Sequence, residues 1–370
     1  MTNYETLGLR PIINACATLT RLGGSRMPPE VLAAMQEAAQ CFIDLNELQR
    51  RAGARIAELT GNEAAYLCTG AAAGLVLTTA ACITGDDPAA IRQLPDLTGL
   101  KNEVILHRTQ RNGYDFAVRQ VGVRVVEIGD RSGTTRTDLE TAITSRTAAI
   151  FWFAGALSSP GDLPLPEVIS VARAHGIPVI VDAAAQLPPV SSLWDFTRMG
   201  AAAAVFSGGK DLRGPQCSGL IVGEADLLRV CAMHGSPNAL IGRPMKIGKE
   251  EMMGLLAAVE RYLTIDQEAR AADHERIVAG WNDALNALPG VTAVRDFPNE
   301  AGQPLPWSLV TLDPAVAGKT ALEVTTQLAE GVPSIAVAGG GRDGFHLNPM
   351  TLEPGEERIV LSRLLEILRS

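Results

Sequence analysis

The stretch AAAAVFSGGKDLRGPQ, residues 201–216, decides how this chain is read. Positions 201–206 are all apolar. Such a run predicts a strand buried on both faces, as in a parallel sheet covered by helices. It delivers Ser207 and then, after Gly208 and Gly209, Lys210. Desolvation behind a buried strand lowers the pKa of a lysine amine and makes it nucleophilic towards carbonyls. The two glycines allow tight backbone geometry beside a ligand. A lone lysine is usually a solvated charge. A lysine set behind an apolar strand and S-G-G, then followed by G-P-Q, is less ordinary.

Two strand ends upstream also carry unusual residues. In PVIVDAAAQ, residues 178–186, Asp182 directly follows a buried run and precedes alanines. A carboxylate there needs a partner for its charge, and a protonated heterocyclic nitrogen would serve. The plain alternative is a helix N-cap. In LCTGAAAG, residues 67–74, a strand turns through Thr69 and Gly70 into a helix of small residues beginning at Ala71. Unpaired N–H groups and the positive dipole end suit a phosphate there. An ordinary buried helix capped by Thr69 is the other reading. In open α/β sheets, ligands bind beyond the carboxyl ends of the strands. Together the three segments supply a phosphate cradle, a carboxylate for a pyridinium nitrogen and a Schiff-base lysine. Those are what a protein contributes to pyridoxal 5'-phosphate chemistry.

The surrounding sequence predicts an α/β fold. Strand-like runs at 104–106, 123–128, 148–153, 178–181, 201–206 and 219–222 are interspersed with helical segments at 138–143 and 166–175. That alternation predicts βαβ units and a mostly parallel sheet. Residues 11–15 read as a short strand, 28–39 as a helix opened by proline, and 45–60 as an amphipathic helix ended by Gly61. After about residue 245 the pattern becomes α+β. It shows one long helix over 249–275, another around 275–288, a run at 305–312, a helix at 320–328, a Gly-rich loop and a helix at 356–368. The expected organisation is an arm (1–45), a large domain (46–245) and a smaller C-terminal domain (246–370). The 370 residues are enough for two lobes.

Composition excludes several classes of function. Lys and Arg number 32 against 41 Asp and Glu, a net charge of −9, which argues against a nucleic-acid partner. None of the six cysteines forms a C-x-x-C pair, and the histidines add no zinc spacing, so no metal site is expected. Residues 64–85 carry no charge and are long enough to span a bilayer. Their four threonines and three glycines fit a strand, a turn and a buried helix better. With no basic, apolar leader, a cytoplasmic location is expected. The stretch GGGRDG, residues 339–344, matches the G-x-G-x-x-G pattern, but the following FHLNP cannot open a helix, so a dinucleotide site is not expected. Arg342 in that stretch and Arg243 in GRPMK are candidate binders of a substrate anion, or else surface arginines.

The order Thr69, Asp182, Lys210 resembles the aspartate-aminotransferase-like fold, fold type I. A narrower likeness rests on Ile13-Asn14-Ala15, Thr20, Gly23-Gly24, Leu59-Thr60-Gly61, FSGGK (206–210), Gly214-Pro215-Gln216 and GLIVG (219–223). Over about residues 10–265 the chain resembles the selenocysteine-synthase-like (SelA-like) family of pyridoxal-phosphate enzymes, and in kind its shorter D-glucosaminate-6-phosphate ammonia-lyase-like members. The resemblance implies that Lys210 carries the cofactor and moves a proton, and that Asp182 pairs with the ring nitrogen. It implies that Thr69, Gly70 and Ala71 bind the phosphate, helped by Ser207. It places a residue of 107–111 over the ring, with Gln110 the best match and His107 three residues earlier; His107 is also the candidate general acid. The arm with Thr20 is expected to reach a neighbouring subunit's site in a homodimer or higher oligomer. The reaction implied is Cα deprotonation and β-elimination on a small amino acid, releasing ammonia and a 2-keto acid. Aldol cleavage, racemisation and β-replacement are the alternatives. Selenium transfer on seryl-tRNA is disfavoured by the charge and by the lack of room for a tRNA-holding N-terminal region. A non-catalytic binding role is disfavoured by Lys210.

Overall fold

The computed structural model describes residues 4–370. The chain divides into two compact units. One is Met27–Thr264; the other joins the N-terminal segment up to Arg26 to Ile265–Ser370. These boundaries differ from the expected ones, and the packing explains the difference. The helix Pro29–Ala39 packs on the helix Lys249–Tyr262, so both belong to the larger unit. The strand β1 (Ile12–Ala15) instead joins the sheet of the smaller unit.

The larger unit holds a seven-stranded sheet. Its strands are β2 (Ala64–Cys68), β3 (Glu103–His107), β4 (Arg124–Ile128), β5 (Thr147–Phe153), β6 (Val179–Asp182), β7 (Ala203–Ser207) and β8 (Gly219–Gly223). Their order is β2-β8-β7-β6-β5-β3-β4. Only β8 runs against the others, pairing antiparallel with β2 and β7. The apolar runs are strands because both faces are covered: every residue of β5, β6 and β8 is buried. The helix Ala71–Thr84 lies in the core with Ile180, Val205 and Ile221. Its threonines tolerate burial by bonding back to helix carbonyls, Thr78 to Gly74 at 2.9 Å and Thr79 to Leu75 at 2.6 Å. Gly74 lets the helix approach the sheet, since a Cβ there would stand 2.6 Å from Val205 Cγ1. The uncharged stretch 64–85 is therefore a strand, a turn and a core helix. Among the described residues no helix is long and apolar enough to cross a membrane.

The smaller unit holds a five-stranded sheet of β1, β9 (Val291–Asp296), β10 (Trp307–Leu312), β11 (Ser334–Gly339) and β12 (Gly344–Leu347), in the order β1-β11-β12-β10-β9. Its core includes Trp281, Leu285, Val310, Phe345 and Leu364. One expectation is corrected here. The stretch 249–275 is not one helix: Lys249–Tyr262 ends, and Gln267–Asn286 begins with Asp266 accepting from the Ala269 N–H at 2.9 Å. The break falls where the chain passes from one unit to the other. The Gly-rich loop is the turn of a hairpin, with Gly339 opposite Phe345, and Arg342 is exposed at its tip.

Candidate active site

Six strands of the larger unit end at one edge of the sheet, at Cys68, His107, Ile128, Phe153, Asp182 and Ser207. β8 begins at that edge, where Gly219 pairs with both Cys68 and Ser207. The Thr69–Ala71 turn and the lysine loop thus flank one residue, and β6 delivers Asp182 beside β7, in register with Val205.

Lys210, half-buried, sits in a closely bonded loop. The Gly208 N–H donates to Ser218 O at 2.9 Å, Gly214 N–H to Gly208 O at 2.8 Å and Arg213 N–H to Lys210 O at 2.9 Å. A Cβ on Gly208 would meet Ser218 Oγ at 2.1 Å, and one on Gly209 would meet Gln216 Cα at 2.5 Å. Only glycine fits this loop. The buried Asp211 next to Lys210 accepts from the Tyr262 hydroxyl at 2.6 Å, tying the loop to the helix Lys249–Tyr262. No spacing pattern pointed to that pair in advance.

Asp182 is 7% exposed, and its Oδ1 accepts from the Ala184 N–H at 3.0 Å. Burial pushes its carboxyl above the ordinary aspartate range, opposed by that N–H and by the Lys210 ammonium. A cationic ring nitrogen would stabilise the charge that burial disfavours. At the turn, Gly70 takes φ 101° and the helix Ala71–Thr84 has no side-chain cap. Thr69 does not cap it; its hydroxyl donates to Cys217 O at 3.4 Å. The first-turn N–H groups are thus left for an anion. Ser207 is half-buried at the end of β7. An uncapped helix start, a buried carboxylate short of cationic charge and a half-buried amine together fit pyridoxal phosphate.

Other expected residues are not presented in this way. His107 is fully buried, with Nδ1 3.0 Å from Thr134 Oγ1 and its ring edge-on to Trp152 at 5.1 Å. Burial lowers its pKa, which favours a neutral imidazole. No part of its ring is exposed. Gln110 is also fully buried, and both ends of its amide are engaged. Arg243 is exposed on the larger unit, whereas Thr20 and Arg342 are exposed on the smaller one. Neither arginine takes part in an ion pair among the described residues. No group of three or more His, Cys, Asp or Glu side chains suited to a metal ion occurs among them either.

A mostly parallel α/β sheet with this constellation at its carboxyl edge defines a fold-type-I pyridoxal-phosphate enzyme. The class-V aminotransferase family model matches residues 23–238, and the chain belongs to that pyridoxal-phosphate-dependent family. It is 36% identical to a 5'-C-glycyluridine monooxygenase-decarboxylase of Streptomyces, over 99% of this chain and 92% of that protein. It is 34% identical to the D-glucosaminate-6-phosphate ammonia lyase of Salmonella typhimurium, over 98% and 97%. An L-seryl-tRNA(Sec) selenium transferase of Nitratidesulfovibrio vulgaris is 27% identical over 97% of this chain and 82% of its own length. A solved D-glucosaminate-6-phosphate ammonia-lyase structure superposes with a TM-score of 0.87, covering 100% of this chain and 99% of that one. The resemblance to SelA-like and ammonia-lyase-like proteins is borne out.

The turn yields a direct prediction. A Cβ on Gly219 would stand 2.4 Å from the Gly70 carbonyl carbon and 2.7 Å from its Cα, against backbone that cannot swing away. Gly219→Ala is expected to displace the turn and raise the dissociation constant of pyridoxal phosphate about tenfold or more, about 1.4 kcal/mol. Absorbance titration of the cofactor-free protein measures it. An unchanged constant would detach the turn from phosphate binding.

Proposed function

We propose that this enzyme removes the Cα proton of a small β-hydroxy amino acid, expels the β-substituent, and releases ammonia and a 2-keto acid. The observation that carries this reading is the placement of Asp182 at the end of β6 and of Lys210 on the loop that follows the adjacent β7. Pyridoxal phosphate, when bound, supplies an electron sink for the charge left at Cα. Asp182 keeps the ring nitrogen protonated. The N–H groups of Gly70 and Ala71, with the hydroxyls of Thr69 and Ser207, hold the phosphate. Lys210 takes the Cα proton through its ε-amine. Water is lost and regained, so the net change is β-hydroxy amino acid to 2-keto acid and ammonia. The full-length similarity to an ammonia lyase supports this direction. It also makes a phosphorylated sugar amino acid the first substrate to test. Arg243 and Arg342 are the arginines we assign to a substrate anion, and Thr20 and a homodimer or higher oligomer belong to the same proposal.

The relative named a monooxygenase-decarboxylase supports a second reading, in which the substrate loses its carboxyl group and oxygen is consumed. One experiment separates the two. The holoenzyme is incubated with D-glucosaminate 6-phosphate, serine and threonine of both hands, and a glycyl nucleoside, while ammonia, 2-keto acid, carbon dioxide and oxygen are followed. The lyase reading expects equimolar ammonia and 2-keto acid, with or without oxygen. Oxygen-dependent carbon dioxide release overturns it in favour of the second.

A further inference from the structure

The loops after β3 and β5 meet at a buried carboxylate, Asp162, which is 6% exposed. It accepts from the Thr109 hydroxyl, from Gln110 Nε2 at 3.0 Å and from the Ser159 N–H at 2.8 Å; His107 Nδ1 lies 3.7 Å away. The Gln110 amide is thereby fixed in one orientation, because only its NH2 end can face a carboxylate. Its Oε1 accepts from the Phe153 N–H at 2.8 Å. Phe153 is the last residue of β5 and stands in register with Asp182, and the next N–H, of Ala154, donates to Asp182 O at 3.0 Å. A continuous path of hydrogen bonds and backbone thus runs from Asp162 through Gln110 and the end of β5 to the main chain of Asp182.

We propose that Asp162 and Gln110 are positioning residues that set the end of β5, and through it the carboxylate of Asp182. The inference rests on the placement of the cofactor's ring nitrogen at Asp182 argued above. The physical reason is the burial of the path. Inside a protein an unmet donor or acceptor is costly, so the bonds from Asp162 through Gln110 to the Phe153 N–H hold one geometry and pass it along. Asp162 need not touch cofactor or substrate to act. A carboxylate that must face a ring nitrogen at hydrogen-bond distance is sensitive to small displacements of its strand end, and these can cost up to about a hundredfold in rate.

The test follows the pH titration of the bound cofactor's visible band, together with kcat and KM, in Asp162→Asn, Gln110→Met, Thr109→Val and Asp182→Asn. Thr109→Val removes one bond to Asp162 but leaves Gln110 its carboxylate, so it controls for general loosening. The expected result is a displaced titration midpoint, by about one unit, in Asp162→Asn and Gln110→Met. kcat is expected about 10–100-fold lower with KM little changed, and Thr109→Val close to wild type. Should Asp162→Asn fail to fold, Gln110→Met decides alone. Wild-type titrations in Asp162→Asn and Gln110→Met beside a displaced one in Asp182→Asn overturn the positioning role alone. So does an equal displacement in Thr109→Val. An undisturbed Asp182→Asn overturns the ring placement and the inference with it.

Discussion

Lys210→Ala is expected to remove covalent cofactor attachment and lower turnover by at least about 10²–10⁴-fold, the range that proton transfer alone contributes. Lys210 stands on a loop whose backbone is closed by bonds from Gly208, Arg213 and Gly214. Absorbance before and after borohydride checks the point. In the wild type the reductant should fix the yellow chromophore to the chain through denaturation. In the variant added cofactor should wash out. A variant that still retains reduced cofactor would place the attachment elsewhere. A wild-type protein that stays colourless with added pyridoxal phosphate would remove the catalytic reading and leave only the fold.

Asp182→Asn should have the second-largest effect, a fall of about 10²-fold or more in kcat with cofactor still bound, since preorganised charge opposite a ring nitrogen is what the substitution removes. A second consequence carries its own sign. Burial raises the folded-state pKa of Asp182 above the unfolded value. The folded cofactor-free protein therefore binds this proton more tightly than the unfolded chain does. The resulting stabilisation is full below the unfolded aspartate pKa and is lost as pH rises through the folded one. Cofactor-free Asp182→Asn has no such proton to lose. Its melting temperature should fall less than that of the wild type as pH is raised from about 4 towards neutrality. Bound cofactor should reverse the order at neutral pH, because the wild-type carboxylate then has its partner. Melting curves at several pH values, with and without pyridoxal phosphate, measure both statements. Parallel curves without cofactor would mean that Asp182 is not held in the protonated state by burial.

The sequence and the structure agree where chemistry is tied to local pattern. The apolar run before Ser207, the two glycines and Lys210 could be read directly, because a strand buried on both faces shows itself as an uninterrupted apolar stretch. Asp182 and the Thr69–Ala71 turn were legible for the same reason, each being the first polar or small-residue element after such a run. The helix that was expected to run through residue 263 was not, because apolar and helix-favouring residues continue across the boundary between two cores, and the second helix's own start is marked locally only by its cap, Asp266.

The sequence alone determined the sheet strands that deliver Thr69, Asp182 and Lys210 and the residue types at their ends, and so pointed to the cofactor that the family match supports. Tertiary structure decided the relations between them: that β6 lies beside β7, that Gly219 backs the turn at Gly70, and that Gln110 and His107 are buried. The role of Asp162 belongs to this second group. Nothing around a loop aspartate at 162 marks it, since its partners lie about fifty residues away on the loop after β3. Period and polarity along a chain report which side of an element is buried. They carry no information about which distant loop supplies the hydrogen bond that a buried group requires.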